Sequence, residues 1–340
     1  PLGYFGGIGA ASRQGILFKG GNYLDAITQV DTVVFDKTGT LTQGRFEVSD
    51  VQASSLQADE LLALVASMEQ GSNHPVGQAV VRAAKARGLA LETFAREEEL
   101  SGLGIRAVSD DGRVCLAGNV RLMRREGIAL PPSADAVEET AVFCAVGGQY
   151  AGCIVLADVV KPDSVEAVRR LRALGIRDIE MLSGDREGIV TRMAGRLGID
   201  RAWGDLLPEG KVEHLKALKD KGRRTAFVGD GMNDAPVLAL ADVGIAMGGL
   251  GSDAAIETAD VVIQTDQPSK VAEAVRLGRR TRHVVWQNIT FALAVKLVIL
   301  ALGAMGMAGL WAAVFADVGV AMLAICNALR IQLSRTTPNA

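Results

Sequence analysis

The chain has 340 residues, with 36 Lys and Arg against 39 Asp and Glu and a net charge of −3 at pH 7. This balance excludes the strongly basic surface on which nucleic-acid binding depends. The composition is 49% hydrophobic and 22% charged, which excludes a disordered or collagen-like chain and allows two or three domains with their own cores.

The chain opens on an uncharged stretch. Residues 1–12 carry no charged side chain and are followed by Arg13 and Lys19, as at the cytosolic end of a membrane helix. The stretch is too short to cross a bilayer, which takes about 20 residues. We interpret residues 1–20 as the end of a truncated transmembrane helix and its cytosolic exit; the alternative is a surface helix of a soluble protein.

Three apolar runs further along the chain each lead into a polar residue. These runs and the residues that follow them are 32–35 with Asp36, 176–182 with Ser183, and 225–228 with Gly229 and Asp230. A helical pattern over 164–174 precedes the second run. Strands that alternate with helices are typical of a parallel sheet, whose ligands bind beyond the carboxyl ends of the strands. We therefore predict an α/β fold with Asp36, Ser183 and Asp230 around one crevice.

Residues 46–155 interrupt this alternation. They contain helical patterns at 59–67 and 76–87 and several short strands with glycine turns. The segment is typical of an inserted domain, and we expect its linkers near residues 43–44 and 156–161.

A long apolar segment follows, residues 284–329, whose only charged side chains are Lys296 and Asp317. At about 20 residues per crossing, this length predicts two transmembrane helices with a turn near Gly306. Arginines on both flanks place both ends in the cytosol. Lys296 and Asp317 lie at similar distances from the turn, near the middle of a bilayer about 30 Å thick. Charges at that depth indicate a functional site, the alternative being a structural ion pair.

Asp36 is the candidate nucleophile. In residues 36–42 (DKTGTLT) the carboxylate stands where a buried strand ends, and hydroxyl and backbone N–H groups able to hold phosphate oxygens follow it. A carboxylate that attacks a phosphoryl group needs a cation and hydrogen-bond donors to relieve the charge repulsion. Asp230 and Asp234 are candidate Mg²⁺ ligands.

Residues 36–42, together with residues 229–236 (GDGMNDAP), resemble the P-type ATPases, whose phosphorylation domain belongs to the haloacid dehalogenase superfamily. The fold class implied is α/β: a haloacid dehalogenase-like doubly wound phosphorylation domain with an inserted α+β nucleotide-binding domain, followed by a two-helix transmembrane hairpin. The cofactors implied are ATP and Mg²⁺.

The resemblance assigns the catalytic residues. Asp36 is then phosphorylated by ATP and binds Mg²⁺ with Asp230 and the backbone carbonyl of Thr38. Lys211 in the motif LLPEGK neutralises the phosphoryl charge. The other residues implied at the phosphate pocket are Ser183, Gly184 and Asp185, where the family usually has Thr-Gly-Asp, and Asn233 with Asp234.

Four short features of the insert resemble the nucleotide domain of heavy-metal-transporting P-type ATPases. They carry Glu69, His74 in the motif SNHP, Gly102 and Gly104 in GLG, and Asn119 in GN. The resemblance implies that Glu69 and His74 contact adenine, that the two glycines allow close approach of the nucleotide, and that Asn119 lies near the ribose or phosphates.

The membrane segment suggests the branch of the family. A lysine in the penultimate helix and Asp-x-Gly in the last, here Lys296 and residues 317–319 (DVG), resemble the zinc, cadmium and lead branch rather than the copper branch. A carboxylate suits Zn²⁺ better than Cu⁺. Asp317 is then a ligand of the transported ion, and Lys296 is a counter-cation near it.

The resemblance covers essentially the whole chain, which corresponds to the carboxyl-terminal half or so of a pump. We therefore expect ATP-driven export of Zn²⁺, Cd²⁺ or Pb²⁺ through an aspartyl phosphate on Asp36. The expected setting is the plasma (inner) membrane, crossed several times, with the catalytic domains in the cytoplasm. The expected partners are the lipid bilayer and the missing amino-terminal half of the pump, and not nucleic acid.

The predicted domain boundaries follow the chain. They are 1–20 for the truncated helix, 21–44 and 157–270 for the phosphorylation domain, 45–156 for the nucleotide-binding domain, 271–283 for a cytosolic linker helix, 284–330 for the hairpin and 331–340 for a tail.

Three alternatives remain open at this point. The first is a cobalt- or copper-transporting P-type ATPase. The second is a membrane-anchored phosphatase of the same superfamily, although such phosphatases commonly carry an acidic Asp where this chain has Thr38. The third is a metal sensor or scaffold without catalytic activity.

Overall fold

The computed structural model describes residues 2–94, 96–109, 111–135, 137, 139–230, 234–248 and 253–333. The chain forms two compact units. Unit 1 contains residues 1–41 and 161–340, and unit 2 contains residues 42–160. Each unit has its own sheet and core.

The helices and strands of the described residues are numbered here in chain order. The strands are β1 (Ile16–Phe18), β2 (Thr32–Asp36), β3 (Thr42–Ala53), β4 (Arg96–Leu100), β5 (Gly104–Val108), β6 (Val114–Gly118), β7 (Thr140–Val146), β8 (Gln149–Val160), β9 (Asp178–Leu182), β10 (Arg201–Trp203), β11 (Thr225–Gly229), β12 (Val243–Met247) and β13 (Val261–Ile263). The helices are α1 (Leu2–Ser12), α2 (Gly21–Ala26), α3 (Ala58–Met68), α4 (Pro75–Ala86), α5 (Val120–Arg125), α6 (Pro132–Asp135), α7 (Ser164–Ala173), α8 (Glu187–Leu197), α9 (Pro208–Asp220), α10 (Ala235–Leu240), α11 (Asp253–Thr258), α12 (Ser269–Ala304) and α13 (Leu310–Leu333).

Unit 1 is built on a seven-stranded sheet with the order β1-β13-β12-β11-β2-β9-β10. All neighbours are parallel except β1, which pairs antiparallel with β13 at one edge. The central strands are buried along their whole length, as expected for a parallel sheet covered by helices on both faces. The doubly wound phosphorylation domain of the predicted fold class is confirmed.

The position of β2 creates the crevice. It lies between β11 and β9. The chain continues from β2 to β9 and β10 on one side of it, and then crosses to β11, β12 and β13 on the other side. In register, Phe35 lies opposite Val228, and Asp36 lies opposite Leu182. The residues that follow the three strands therefore meet at one edge of the sheet, where ligands of such sheets bind.

Unit 2 is a six-stranded antiparallel sheet with the order β3-β8-β7-β6-β5-β4 and helices packed on it. Its strand residues alternate between two apolar clusters. Cys144 and Ile154 belong to the cluster with α3 and α4, whereas Phe143 and Val155 belong to the cluster with α5. Because β3 and β8 already pair from Thr42 and Val160, the unit extends slightly beyond the predicted bounds of 45 and 156.

Three helices of unit 1 pack together beyond its sheet. Helix α1 contacts α12 and α13, and its glycines allow the close approach, since a Cβ at Gly7 would contact the side chain of Thr281. Helices α12 and α13 are long and apolar enough to cross a membrane. The predicted linker helix at 271–283 and the first predicted span form one continuous helix, α12, of 36 residues.

Candidate active site

Asp36 and Lys211 form the centre of the candidate site. Asp36 is the last residue of the buried strand β2, and Lys211 lies in the first turn of α9, which Pro208 begins at a position suited to its fixed φ. The Lys211 Nζ donates to Asp36 Oδ1 at 2.5 Å and to Asp234 Oδ1 at 2.8 Å. All three residues are buried. One ammonium therefore bridges two carboxylates that come from different elements.

The electrostatics of this triad depend on burial. Burial and the charge of Asp234 raise the pKa of Asp36 to about 7, although Lys211 acts in the opposite direction. Burial alone would lower the pKa of Lys211, but the two carboxylates outweigh it and raise that pKa above its ordinary value. Lys211 therefore stays charged, and the site gains from a further cation that holds Asp36 ionised.

The loop after Asp36 turns sharply and brings in a third carboxylate. Gly39 has φ +73°, and a Cβ at this position would collide with the side chain of Asp230. Only glycine therefore allows Asp230 to approach the loop. Thr40 is fully buried, and its hydroxyl has no hydrogen-bond partner among the described residues. A buried hydroxyl without a partner suits a ligand oxygen.

These residues fit a Mg²⁺ ion. Asp36 ends β2 and Asp230 follows the neighbouring strand β11, and Thr38, whose carbonyl is the third predicted ligand, is exposed on the loop after Asp36. All the donors are oxygens, which Mg²⁺ prefers. The predicted residue Asn233 lies outside the described residues.

The predicted phosphate residues after β9 lie beside this loop. Ser183 is buried, and its Oγ accepts a hydrogen bond from the N–H of Asp185 at 3.1 Å. Gly184 between them is exposed. Asp185 pairs with Lys37 at 2.5 Å, and this pair ties the segment after β9 to the loop after β2.

The predicted nucleotide residues line one cavity of unit 2, with a volume of about 270 Å³. Glu69, His74, Gly102, Gly104 and Asn119 all border it. Glu69 is 8% exposed, and burial raises its pKa, opposed by Ser72 and His74. The residues that the sequence assigned to the nucleotide are thus brought together.

Some of these residues also have structural roles. His74 Nδ1 accepts from the N–H of Val76 at the start of α4, and Asn119 Oδ1 caps α5. A Cβ at Gly104 would collide with the backbone at Ala117, whereas a Cβ at Gly102 would meet open space. The missing side chain of Gly104 therefore allows the neighbouring strand to pack closely. The open space beside Gly102 is available to a ligand.

The charged residues of the apolar helices also meet. Lys296 Nζ lies 3.2 Å from Asp317 Oδ1, on facing sides of α12 and α13. Both border a cleft of about 560 Å³ between these helices. The pair has the level position that counting from the turn predicts.

Sequence reasoning missed two buried lysines. Lys37 and Lys161 are each 4% exposed. Lys37 pairs with Asp185 in the segment beside the loop, and Lys161 donates to the carbonyl of Gly39 within the loop that follows Asp36. Lys37 directly follows the nucleophile, which was a signal available in the sequence. Lys161 stands in the sequence DVVKP (158–162), which resembles the hinge motif of the family, but its contact with Asp266, far along the chain, could not be predicted from that motif.

The chain is similar to a known protein family and to individual known proteins. A sequence profile of haloacid dehalogenase-like hydrolases matches residues 30–242, and a second profile with this description matches residues 211–275. The chain is 53% identical to a zinc-transporting ATPase of Synechocystis over 97% of this chain and 46% of the relative. It is 50% identical to a cadmium, zinc and cobalt-transporting ATPase of Bacillus subtilis, over 97% of this chain and 47% of the relative.

The structure is similar to a crystal structure of a zinc-transporting PIB-type ATPase in the E2.Pi state. The TM-score is 0.89 at 37% identity, over 98% of this chain and 55% of the other. The chain thus spans about half the length of the proteins it matches. These similarities confirm the resemblance that the sequence motifs predicted.

Proposed function

Because the chain belongs to the haloacid dehalogenase-like hydrolases and its relatives are metal-transporting P-type ATPases, we propose that Asp36 accepts the terminal phosphoryl group of ATP and that the aspartyl phosphate drives metal export. The proposal concerns an intact pump that contains this sequence. Its exported ions are Zn²⁺ and Cd²⁺, with Pb²⁺ included on chemical grounds.

The single observation that carries this proposal is the contact of Lys211 with both Asp36 and Asp234 at the carboxyl edge of the sheet. A carboxylate attacks a phosphoryl group only when the negative charge around it is neutralised. Lys211 supplies one positive charge in a buried setting, where its effect is larger than in water.

The residues then act as follows. An Asp36 oxygen attacks the terminal phosphorus of ATP, the bond from that phosphorus to the bridging oxygen breaks, and ADP leaves. Lys211 neutralises charge on the phosphoryl group, and Ser183 and the loop after Asp36 hold its oxygens. When bound, Mg²⁺ would be held by Asp36, Asp230 and the carbonyl of Thr38, and would supply further positive charge there.

Unit 2 supplies the nucleotide site of this proposal. Its cavity of about 270 Å³ offers the buried carboxylate of Glu69 to the exocyclic amine of adenine and the ring of His74 to its face. Gly102 leaves open space for the ribose and phosphates, near Asn119.

The exported ion meets Asp317. A carboxylate oxygen suits Zn²⁺, Cd²⁺ and Pb²⁺ better than Cu⁺, and Lys296 lies close enough to neutralise Asp317 when the ion is absent. Cobalt remains the nearest alternative, since one relative is named for cadmium, zinc and cobalt. We place the pump in the plasma membrane, with unit 2 and the sheet of unit 1 on the cytoplasmic side.

The test is acid-stable phosphoenzyme formed from labelled ATP and Mg²⁺ by the intact pump. We expect Zn²⁺, Cd²⁺ and Pb²⁺ to stimulate labelling and Asp36→Asn to abolish it. Asp31→Asn is the matched control, because Asp31 lies just before the opposite end of the same strand. Labelling that persists in Asp36→Asn contradicts the proposal.

The main competitor is a phosphatase of the same superfamily. It predicts rapid hydrolysis of phosphate esters without a stable phosphoenzyme. The exposed Thr38, at the place where such phosphatases commonly carry an acid, disfavours it.

A further inference from the structure

Lys161 is a buried cation that the proposed chemistry does not use. It is 4% exposed, and its Nζ donates to the carbonyl of Gly39 at 2.7 Å and to Asp266 Oδ1 at 2.8 Å. Gly39 belongs to the loop that follows Asp36, whereas Asp266 lies just before the start of α12. One side chain therefore joins two segments more than two hundred residues apart in sequence.

Residues next to Lys161 in sequence also join the loop after Asp36 to the start of α12. The Lys161 N–H and the Ser164 hydroxyl both donate to the carbonyl of Leu41, at 2.9 and 2.8 Å. On the other side, Asp163 accepts a hydrogen bond from the N–H of Ser269, the first residue of α12, at 2.9 Å. The segment 161–164 is thus bonded at one end to the catalytic loop and at the other to the beginning of α12.

The contact with Gly39 has a consequence for the site. A trans peptide is planar, so the carbonyl of Gly39 and the N–H of Thr40 point in opposite directions. By holding that carbonyl, Lys161 fixes the direction of the Thr40 N–H and with it the turn against Asp230. An ammonium in a buried setting gives a strong, short hydrogen bond for this purpose.

The contact with Asp266 has a consequence for the helix. Asp266 has φ +55°, a left-handed conformation that is costly for residues other than glycine, asparagine and aspartate. Its carboxylate is directed to Lys161 and not to the first turn of α12. Movement of the start of α12 relative to the loop would therefore break or stretch this ion pair.

We propose that Lys161 is a positioning residue that couples the geometry of the loop after Asp36 to the start of α12, so that metal binding between α12 and α13 changes the rate at which Asp36 is phosphorylated. This inference rests on the proposed function. The Lys161 ammonium contacts a backbone carbonyl of the loop and the carboxylate of Asp266, so it acts on Asp36 through the loop.

The experiment measures metal stimulation in the intact pump. The readout is the rate of phosphorylation by ATP with saturating Zn²⁺, divided by the rate in the presence of a chelator. The variants are Lys161→Met and Asp266→Asn. Asparagine tolerates the left-handed conformation, so Asp266→Asn removes the charge and keeps the backbone.

Lys219→Met is the matched control. Lys219 also donates to one carbonyl, that of Leu240, and lies near one carboxylate, that of Asp242, but it does not join the loop to α12. The cavity of unit 2 contains none of the substituted residues. Nucleotide affinity is therefore measured in every variant as a control for general damage to the protein.

We expect Zn²⁺ stimulation to fall at least tenfold in Lys161→Met and Asp266→Asn, to stay within twofold of wild type in Lys219→Met, and to be partly retained in Lys161→Arg. Nucleotide affinity should stay within twofold throughout. Stimulation within twofold of wild type in Asp266→Asn overturns the coupling even if Lys161→Met does not fold. Absence of any phosphoenzyme in the wild type overturns the proposed function and the coupling with it.

Discussion

Gly39 shows how one missing side chain shapes the loop that follows Asp36. Its positive φ would cost an alanine roughly 1 kcal/mol, and a Cβ would in addition collide with the Asp230 carboxylate, which must then shift. We expect Gly39→Ala to lower the rate of phosphoenzyme formation at least a hundredfold, with a weaker dependence on Mg²⁺, because Asp230 is displaced.

Gly175→Ala separates the two effects. Gly175 has φ +78°, but a Cβ there meets open space. The alanine should therefore lower stability by a similar backbone cost and leave phosphorylation within twofold of wild type. Equal phosphorylation in the two variants, measured with saturating ATP, would show that the collision does not matter.

Glu69 is expected to lower the stability of unit 2 and to strengthen its binding of the nucleotide. Burial raises the pKa of Glu69 above its ordinary value, so the fold disfavours the ionised form. The ionised carboxylate therefore weakens unit 2 at pH 7, and this penalty disappears as the pH falls through the raised pKa. Glu69→Gln should slow hydrogen exchange of unit 2 amides at pH 7 relative to wild type, but not at pH 4.

The same substitution should weaken nucleotide binding about tenfold, since a hydrogen bond to a charged acceptor becomes a weaker one to a neutral acceptor. Glu99 is the control: it lines the same cavity but is exposed. Glu99→Gln should change hydrogen exchange less than Glu69→Gln, because the charge of Glu99 raises the pKa of Glu69 less than burial does. Tight binding retained by Glu69→Gln in calorimetry would argue against a contact with adenine.

The sequence predicted those site residues whose position follows from a strand. Asp36, Ser183 and Asp230 follow buried runs that had to be parallel neighbours, so their meeting could be inferred. Lys161 could not be placed this way, because its partner Asp266 is brought to it by the packing of α12 against α7. Contacts that depend on tertiary packing leave no periodic trace in sequence.

At the scale of elements, the reaction of three buried cysteines in the sheet of unit 2 can report ligand binding to that unit. Cys115, Cys144 and Cys153 lie on three neighbouring strands and are buried. Burial raises the pKa of all three thiols, that of Cys144 to about 12, so the reactive thiolate is scarce in the folded unit. Alkylation therefore requires opening of the sheet.

We expect ATP to slow this alkylation. A ligand at 100 times its Kd that binds only the folded unit stabilises it by about 2.7 kcal/mol, equivalent to a rate about 100-fold lower. Mass spectrometry of the labelled peptides gives the rate for each cysteine. Inorganic phosphate in place of ATP is the control, and equal rates with and without ATP would contradict a nucleotide site in unit 2.

The boundaries of elements were harder to predict than their existence. The sequence predicts a cytosolic linker helix at 271–283 with a boundary before the apolar run. In the structure, the side chains of this segment bind the rest of unit 1 while the backbone continues as α12. Arg279 donates to the carbonyl of Leu174, and Arg282 pairs with Asp25 at 3.6 Å. A change of surroundings along a helix alters the sequence pattern without ending the helix.

At the scale of the whole molecule, the proposed transport requires Asp317 and Asp36 to respond to one another. We expect Asp317→Ala to remove Zn²⁺ stimulation of phosphoenzyme formation, because the ion loses its carboxylate ligand and Lys296 loses its partner. Met322→Leu, an exposed position on the same helix, should retain stimulation. An unaltered Zn²⁺ dependence of labelling in Asp317→Ala would count against Asp317 as a ligand.

The continuity of α12 has a mechanical consequence. Its 36 residues extend for about 54 Å at 1.5 Å per residue, and none of them is proline. A rod of this length is a lever arm: a tilt of about 5° at one end displaces the other by about 5 Å, roughly one helical turn. In the proposed pump, a small shift beside Asp36 would thereby be amplified to the dimensions of a metal ion and its ligands.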